Sequence, residues 1–172
     1  MTGPMITAHA VTRTLAQLYR ETGGHPPLPG RGETALRWAT LADACSSDLA
    51  VGRLVEAHLD ADAILAEFGH PRPGADVIWG VWAAESGHTR LTAHRRDGRW
   101  TLTGVKPWCS GADLCTHALI TAVTEDADPH DPDARRLFAV DLAHPDVSVD
   151  VAGWTNAGMA ATATGTITCV DV

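Results

Sequence analysis

A chain of 172 residues with 45% hydrophobic side chains is the size of one ordinary domain or two small ones, and it has the apolar content for a real core, which excludes disorder throughout. A formal net charge of −8 and a pI near 5.5 argue against the clustered basic face that a phosphate-backbone partner needs, so no nucleic acid partner is expected. The opening residues lack a basic start, an apolar run and a cleavage site, and no later stretch has the apolar length to span a bilayer; a cytoplasmic protein is the expectation.

In chain order, Val11, Leu15 and Leu18 carry helical periodicity, and GGHPPLPGRG at 23–32 holds too many Gly and Pro for regular structure. Ser46, Ser47 and Asp48 are N-cap residue types ahead of a second periodic segment, with Leu54, His58, Ala61, Leu65 and Phe68 along one stripe. Gly69, Pro71 and Pro73 end that helix after roughly twenty residues. His58 reads as a satisfied, partly buried side chain of the stripe rather than a ligand.

GHPRPG at 69–74 is the expected joint between two domains, 1–74 and 75–172, because the apolar period changes after it from about 3.6 to about 2. Segments 77–84, 89–95, 99–103, 117–123, 136–141, 147–151 and 163–172 have strand length and content. Asp97-Gly98 tolerates the positive φ of a type I′ hairpin turn, and the acidic, proline-punctuated 126–135 reads as a loop. The expected fold class is α+β: a short amino-terminal helical domain followed by an all-antiparallel β-barrel or sandwich domain.

Cys45, Cys109, Cys115 and Cys169 have no disulfide-framework spacing and read as reduced thiols. The histidines show no metal-ligand spacing, so no metal site is expected. The absence of a G-x-S-x-G elbow, a P-loop and a G-x-G-x-x-G run removes support for hydrolase, NTPase and Rossmann dehydrogenase readings.

The remaining signal is GVKPWCSGA at 104–112, which follows a hairpin strand and precedes the apolar HALITAV at 117–123. Gly104, Lys106, Trp108, Ser110 and Gly111 resemble the middle-domain signature of the flavin-dependent acyl-CoA dehydrogenases. VWAAESG at 81–87 is similar to that family's Thr-Glu-Pro-Gly turn, and the strands of 76–172 resemble the rest of its middle domain. The resemblance implies FAD as cofactor, with Trp108 packing against the isoalloxazine ring, Ser110 hydrogen-bonding near its reactive nitrogen, and Glu85, Ser86 and Gly87 forming the adjoining turn. On an extended strand Trp108 and Ser110 would face one side. Without the resemblance, Trp108 reads as a core tryptophan and Ser110 as a turn residue.

Two departures limit what the resemblance implies. Ala84 stands where the turn normally has a hydroxyl, which implies a lost flavin or thioester contact, with Thr89 or Ser86 as substitutes. The family's carboxy-terminal helical bundle, which supplies the catalytic glutamate, has no counterpart in the 172 residues, so no catalytic residue is expected in this chain. The expectation is an acyl-CoA dehydrogenase-like flavoprotein acting on an acyl-CoA, inactive or weakly active alone, self-associating and completed by a second polypeptide. The alternatives are a non-catalytic remnant or interaction module and a flavin-dependent monooxygenase component of the same superfamily.

Overall fold

The computed structural model describes residues 4–86, 89–127, 131, 134–155 and 157–172. Three helices come first: α1 (Pro4–Glu21), α2 (Thr34–Ser47) and α3 (Leu49–Glu67). Val11, Leu15 and Leu18 are buried, so the periodic face of α1 is the face that packs. Asp48 sits between α2 and α3 in extended conformation, and its carboxylate accepts hydrogen bonds from the Ala50 and Val51 amides at 2.7 and 3.2 Å. That cap satisfies two of the amides that a helix start leaves orphaned. Close by, a Cβ on Gly52 would lie 2.4 Å from Cys45 Sγ, so only glycine lets the two helices approach this closely.

The α3 stripe carries its polar groups inward. His58 is fully buried: its Nδ1 accepts from the Trp79 amide at 3.4 Å, and its Nε2 lies 3.0 Å from the Tyr19 hydroxyl. With Nδ1 an acceptor, Nε2 carries the proton and donates to Tyr19, whose own O–H donates to the Pro73 carbonyl at 2.9 Å. Burial holds the imidazole down at a pKa of about 4, and burial likewise pushes the Tyr19 phenol up. One turn on, Asp62 is fully buried and bound bidentately by Arg72 at 2.6 and 2.5 Å. Arg72 also donates to the Pro26 carbonyl at 2.8 Å, so the Gly-Pro stretches at 23–32 and 69–74 are tied to one side chain of α3.

Seven strands follow: β1 (Trp79–Trp82), β2 (Leu91–Arg96), β3 (Arg99–Cys109), β4 (His117–Thr124), β5 (Arg135–Asp141), β6 (Val147–Asp150) and β7 (Gly165–Cys169). Asp97 and Gly98 have φ of 51° and 78°, the type I′ turn expected between β2 and β3. The sheet order is β1-β4-β2-β3-β7-β6, with β5 pairing β4.

The expectation of an all-antiparallel barrel or sandwich is corrected here. β4 pairs parallel with β1 (Trp79 opposite His117 through Trp82 opposite Ile120) and then parallel with β2 (Thr92 opposite Val123), so the sheet is mixed and does not close. The chain between β3 and β4 carries the backbone under α3 rather than through a hairpin, and β4 therefore re-enters beside β1 and β2 in their own direction. Ala118, Leu119, Ile120, Ala122 and Val123 are all buried, the near-continuous apolar run of a strand covered on both faces.

Candidate functional site

β3 is the longest strand and changes partner along its length. It pairs with β2 up to Gly104 and with β7 from Gly104 onward. Gly104 has φ of 126°, and a Cβ there would lie 2.2 Å from the Arg90 carbonyl oxygen, so the switch point requires glycine. Beyond it the register shifts between Lys106 and Cys109 as a β-bulge around Pro107 and Trp108. Proline has no amide to give the ladder, and Trp108 takes a left-handed φ of 60°. The alternation that would place Trp108 and Ser110 on one side is thus broken at Trp108 itself. The indole is 52% exposed, so the reading of Trp108 as a core tryptophan fails.

Ser110 is half-buried; its carbonyl accepts from Trp82 Nε1 at 3.0 Å, and its hydroxyl lies 3.5 Å from Thr164 Oγ1. Thr164 contacts the Thr162 hydroxyl at 2.8 Å, which donates to the Met159 carbonyl at 2.7 Å. The backbone is joined here as well, with Gly111 N–H donating to Thr162 O at 2.7 Å and Ala112 N–H to Ala163 O at 3.1 Å. Met159 and Ala163 are left-handed too, at φ of 60° and 47°. Three non-glycine residues in this conformation within two facing segments concentrate backbone strain of the kind that binding sites hold.

Glu85 lies in the connection between β1 and β2. Its Oε1 accepts from Lys106 Nζ at 2.7 Å and from the Thr121 hydroxyl at 2.9 Å, with Arg135 Nε 3.8 Å away. Lys106 is 1% exposed, and its ammonium also donates to the Thr121 carbonyl at 2.9 Å and hydroxyl at 2.8 Å. Its three protons therefore meet Glu85 and both oxygens of Thr121. The lysine two residues before Trp108 thus fastens the Glu85 turn to the strand that bears the indole. Ser86 is half-buried beside Glu85, and Gly87 lies outside the described residues.

Sequence reasoning named Trp108, Ser110, Glu85 and Ser86 but missed Lys106 as their tether and Thr162 and Thr164 as partners of Ser110. A lone lysine in an apolar strand was the available signal for Lys106. The threonines offered none, because their contact with Ser110 is a long-range pairing. Two groups bear on whether a polar ligand fits: Thr89 Oγ1, on the Glu85 connection, and Trp154 Nε1 are buried without a partner among the described residues. Trp154, Thr164 and Asp113 line a cavity of about 130 Å³, and burial raises the Asp113 carboxyl. Cys109 is fully buried, and burial pushes its thiol up to about 12, which makes it a packing residue rather than a nucleophile. All four cysteines are unpaired, and no group of three His, Cys, Asp or Glu side chains could hold a metal among the described residues. Among those residues no helix is long and apolar enough to cross a membrane.

Solved structures share this fold. The chain is 13% identical to butyryl-CoA dehydrogenase from Megasphaera elsdenii, with a TM-score of 0.72, over 98% of its own length and 48% of the other's. It is 23% identical to TdsC from Paenibacillus sp. A11-2, solved with FMN and indole, with a TM-score of 0.63 over 99% and 45%. It is 14% identical to the HsaA monooxygenase from M. tuberculosis, with a TM-score of 0.59 over 96% and 52%. The chain thus spans about half the length of the structures it matches, and at these identities the likeness is one of fold. No curated protein sequence matches it. A family model described as acyl-CoA dehydrogenase, middle domain, matches residues 82–172, more than half of the chain. The bulged strand with Trp108, the Lys106-tethered Glu85 and the strands that close on them all lie within that match, and the chain belongs to the acyl-CoA dehydrogenase middle-domain family.

Proposed function

We propose that this chain is the helical part (1–74) and β part (75–172) of an FAD-dependent flavoprotein that dehydrogenates an acyl-CoA thioester between its α and β carbons. The observation that carries the reading is Trp108: a large aromatic face, 52% exposed, held left-handed on a bulge with the Ser110 hydroxyl two residues on. An exposed indole at a strained position is costly unless something flat covers it. In this reading Trp108 packs on the flavin ring, Ser110 donates to its edge, and the Lys106–Glu85 tether sets the turn of Glu85, Ser86 and Gly87 beside the cofactor. The unpartnered Thr89 hydroxyl on the same connection fits a polar cofactor and stands in for the hydroxyl missing at Ala84. The flavin, when bound, supplies the hydride acceptor.

Removal of the α-proton requires a base within hydrogen-bond reach. Glu85 is already engaged by Lys106 and Thr121, so it serves the turn rather than the substrate. In this reading a second polypeptide supplies the base, and self-association or that partner closes the site over the flavin. A monooxygenase is the second reading, favoured by the likeness in fold to TdsC, a dibenzothiophene monooxygenase, and to the HsaA monooxygenase; Ala84 suits it, because no thioester contact is then needed.

The test is the flavin itself. The chain is mixed with excess FAD, desalted and scanned for retained flavin absorbance; retention supports a cofactor site, and a colourless protein points to a remnant. Acyl-CoA turnover by the chain alone would refute the division of labour. Anaerobic bleaching by an acyl-CoA, once a partner is supplied, separates dehydrogenase from monooxygenase.

A further inference from the structure

Five arginines of this acidic chain gather at one end of the sheet: Arg95, Arg96 and Arg99 around the β2–β3 turn, and Arg135 and Arg136 at the start of β5. Register explains the clustering. Arg95 faces Trp100 across the hairpin, Ala122 faces Arg136 and Val123 faces Arg135, while Thr92 and Ala93 bring β2 against Val123 and Thr124. Both Arg95 and Arg136 hold their guanidinium carbons 5.6 Å from the Trp100 ring, which meets Phe138 edge-on at 5.6 Å. Arg96 is taken up by Glu125, and Arg135 stands 3.8 Å from Glu85. Arg136 has no carboxylate partner among the described residues.

Beside this cluster the carboxy-terminal end of α3 and β5 enclose a groove of about 500 Å³, lined by Leu65, Phe68, Leu119, Leu137 and Phe138 with Trp100 and the two β5 arginines. The volume is in the range of small-molecule sites, about 300–1,000 Å³, and an apolar lining with a few charged groups is the usual composition of one. Phe68 is 73% and Leu137 40% exposed, so the groove is open to a ligand without rearrangement.

We infer that this groove binds a small apolar carboxylate, its hydrocarbon body between Phe68 and Leu137 and its anionic head at Arg136. The commitment to an anion follows from charge: a chain of net charge −8 has placed cations without full carboxylate pairing at the rim of an apolar cleft. The commitment to a carboxylate follows from the planar guanidinium fork, which matches that group two bonds at a time.

Titration of the isotopically labelled chain with decanoate below its micelle concentration reads the site by amide chemical shifts. Saturable shifts at residues 64–70 and 135–139 are expected, with decan-1-ol binding about tenfold more weakly for want of the charge. Arg136→Gln should cost decanoate about fivefold or more and leave decan-1-ol unchanged, while Leu137→Asp, at an exposed position that does not threaten folding, should abolish decanoate binding. Absence of shifts in those segments, equal affinity for acid and alcohol, or an unaffected Arg136→Gln would overturn the inference. So would shifts of the same amides on diluting the ligand-free chain, which would assign the groove to a second copy.

Discussion

Two regions of this molecule handle polar groups in opposite ways. Where α1, α3 and the 69–74 stretch meet, every buried polar side chain has its partner: His58 with Tyr19 and the Trp79 amide, Asp62 with both arms of Arg72. Where Trp108–Ala112 faces Met159–Ala163, the backbone is bent left-handed four times, at Trp108, Gly111, Met159 and Ala163, and an indole is left in solvent, while the indole N–H of the neighbouring Trp154 is buried unbonded among the described residues. The first region is satisfied within itself, and the second keeps strained backbone, an exposed indole and an unbonded indole N–H among the described residues. Satisfied networks rigidify, whereas strain persists only where a surrounding scaffold over-determines it.

The contrast breaks most visibly at Arg72. Arg72→Met leaves the fully buried Asp62 carboxylate alone and should cost about 3–5 kcal/mol in denaturant unfolding. The double change with Asp62→Leu should recover most of that, and a loss under about 1 kcal/mol would show that the junction is not a network.

The second lever is pH. His58 has a folded pKa of about 4 against an ordinary value of 6.5, so between those values the unfolded chain takes up a proton that the folded chain refuses. Stability should therefore be unaffected by His58 above about pH 6.5 and fall by about 3 kcal/mol as pH drops towards 4. Unfolding free energies measured across that window should flatten in His58→Gln. A decline of equal size in that variant would place the titration elsewhere.

The smallest effect has the opposite sign. Trp108→Asn puts a residue that tolerates φ of 60° at the bulge and should raise stability by about 1 kcal/mol while lowering flavin retention after desalting. Gain of stability with flavin retention intact would separate the strain from the proposed ring contact.

Local features were legible in the sequence because their causes are local. Asp48 before an apolar stripe is a cap, Asp97-Gly98 is a turn, and the 3.6 period of α1 and α3 marks their packed faces. Strand direction was not legible, since alternation is the same for parallel and antiparallel neighbours; the unbroken apolar run of HALITAV was the one hint that β4 is central. At the site, residue types at fixed spacing pointed to Trp108 and Ser110, but the left-handed turn at Trp108 depends on β7 and the bulge. Lys106 was visible only as a motif letter, because its partners Glu85 and Thr121 are 21 and 15 residues away.

β4 exchanges one neighbour for another along the same flank, with β1 alongside His117–Ile120 and β2 alongside Val123 and Thr124. Between them, among the described residues, Thr121 and Ala122 face no strand on that side, and the Lys106 ammonium bonds the Thr121 carbonyl where a ladder amide would stand. A side chain thus serves as a rung of the sheet. The turn between β1 and β2 is thereby held through Glu85 and through the Arg90 carbonyl, which accepts from the Val105 amide, so residues between those two points can be exchanged without re-registering a strand. A longer turn grafted between Glu85 and Arg90 should leave the surrounding sheet as it is, whereas a graft that drops Glu85 leaves the buried Lys106 ammonium without its carboxylate and should destabilise the sheet.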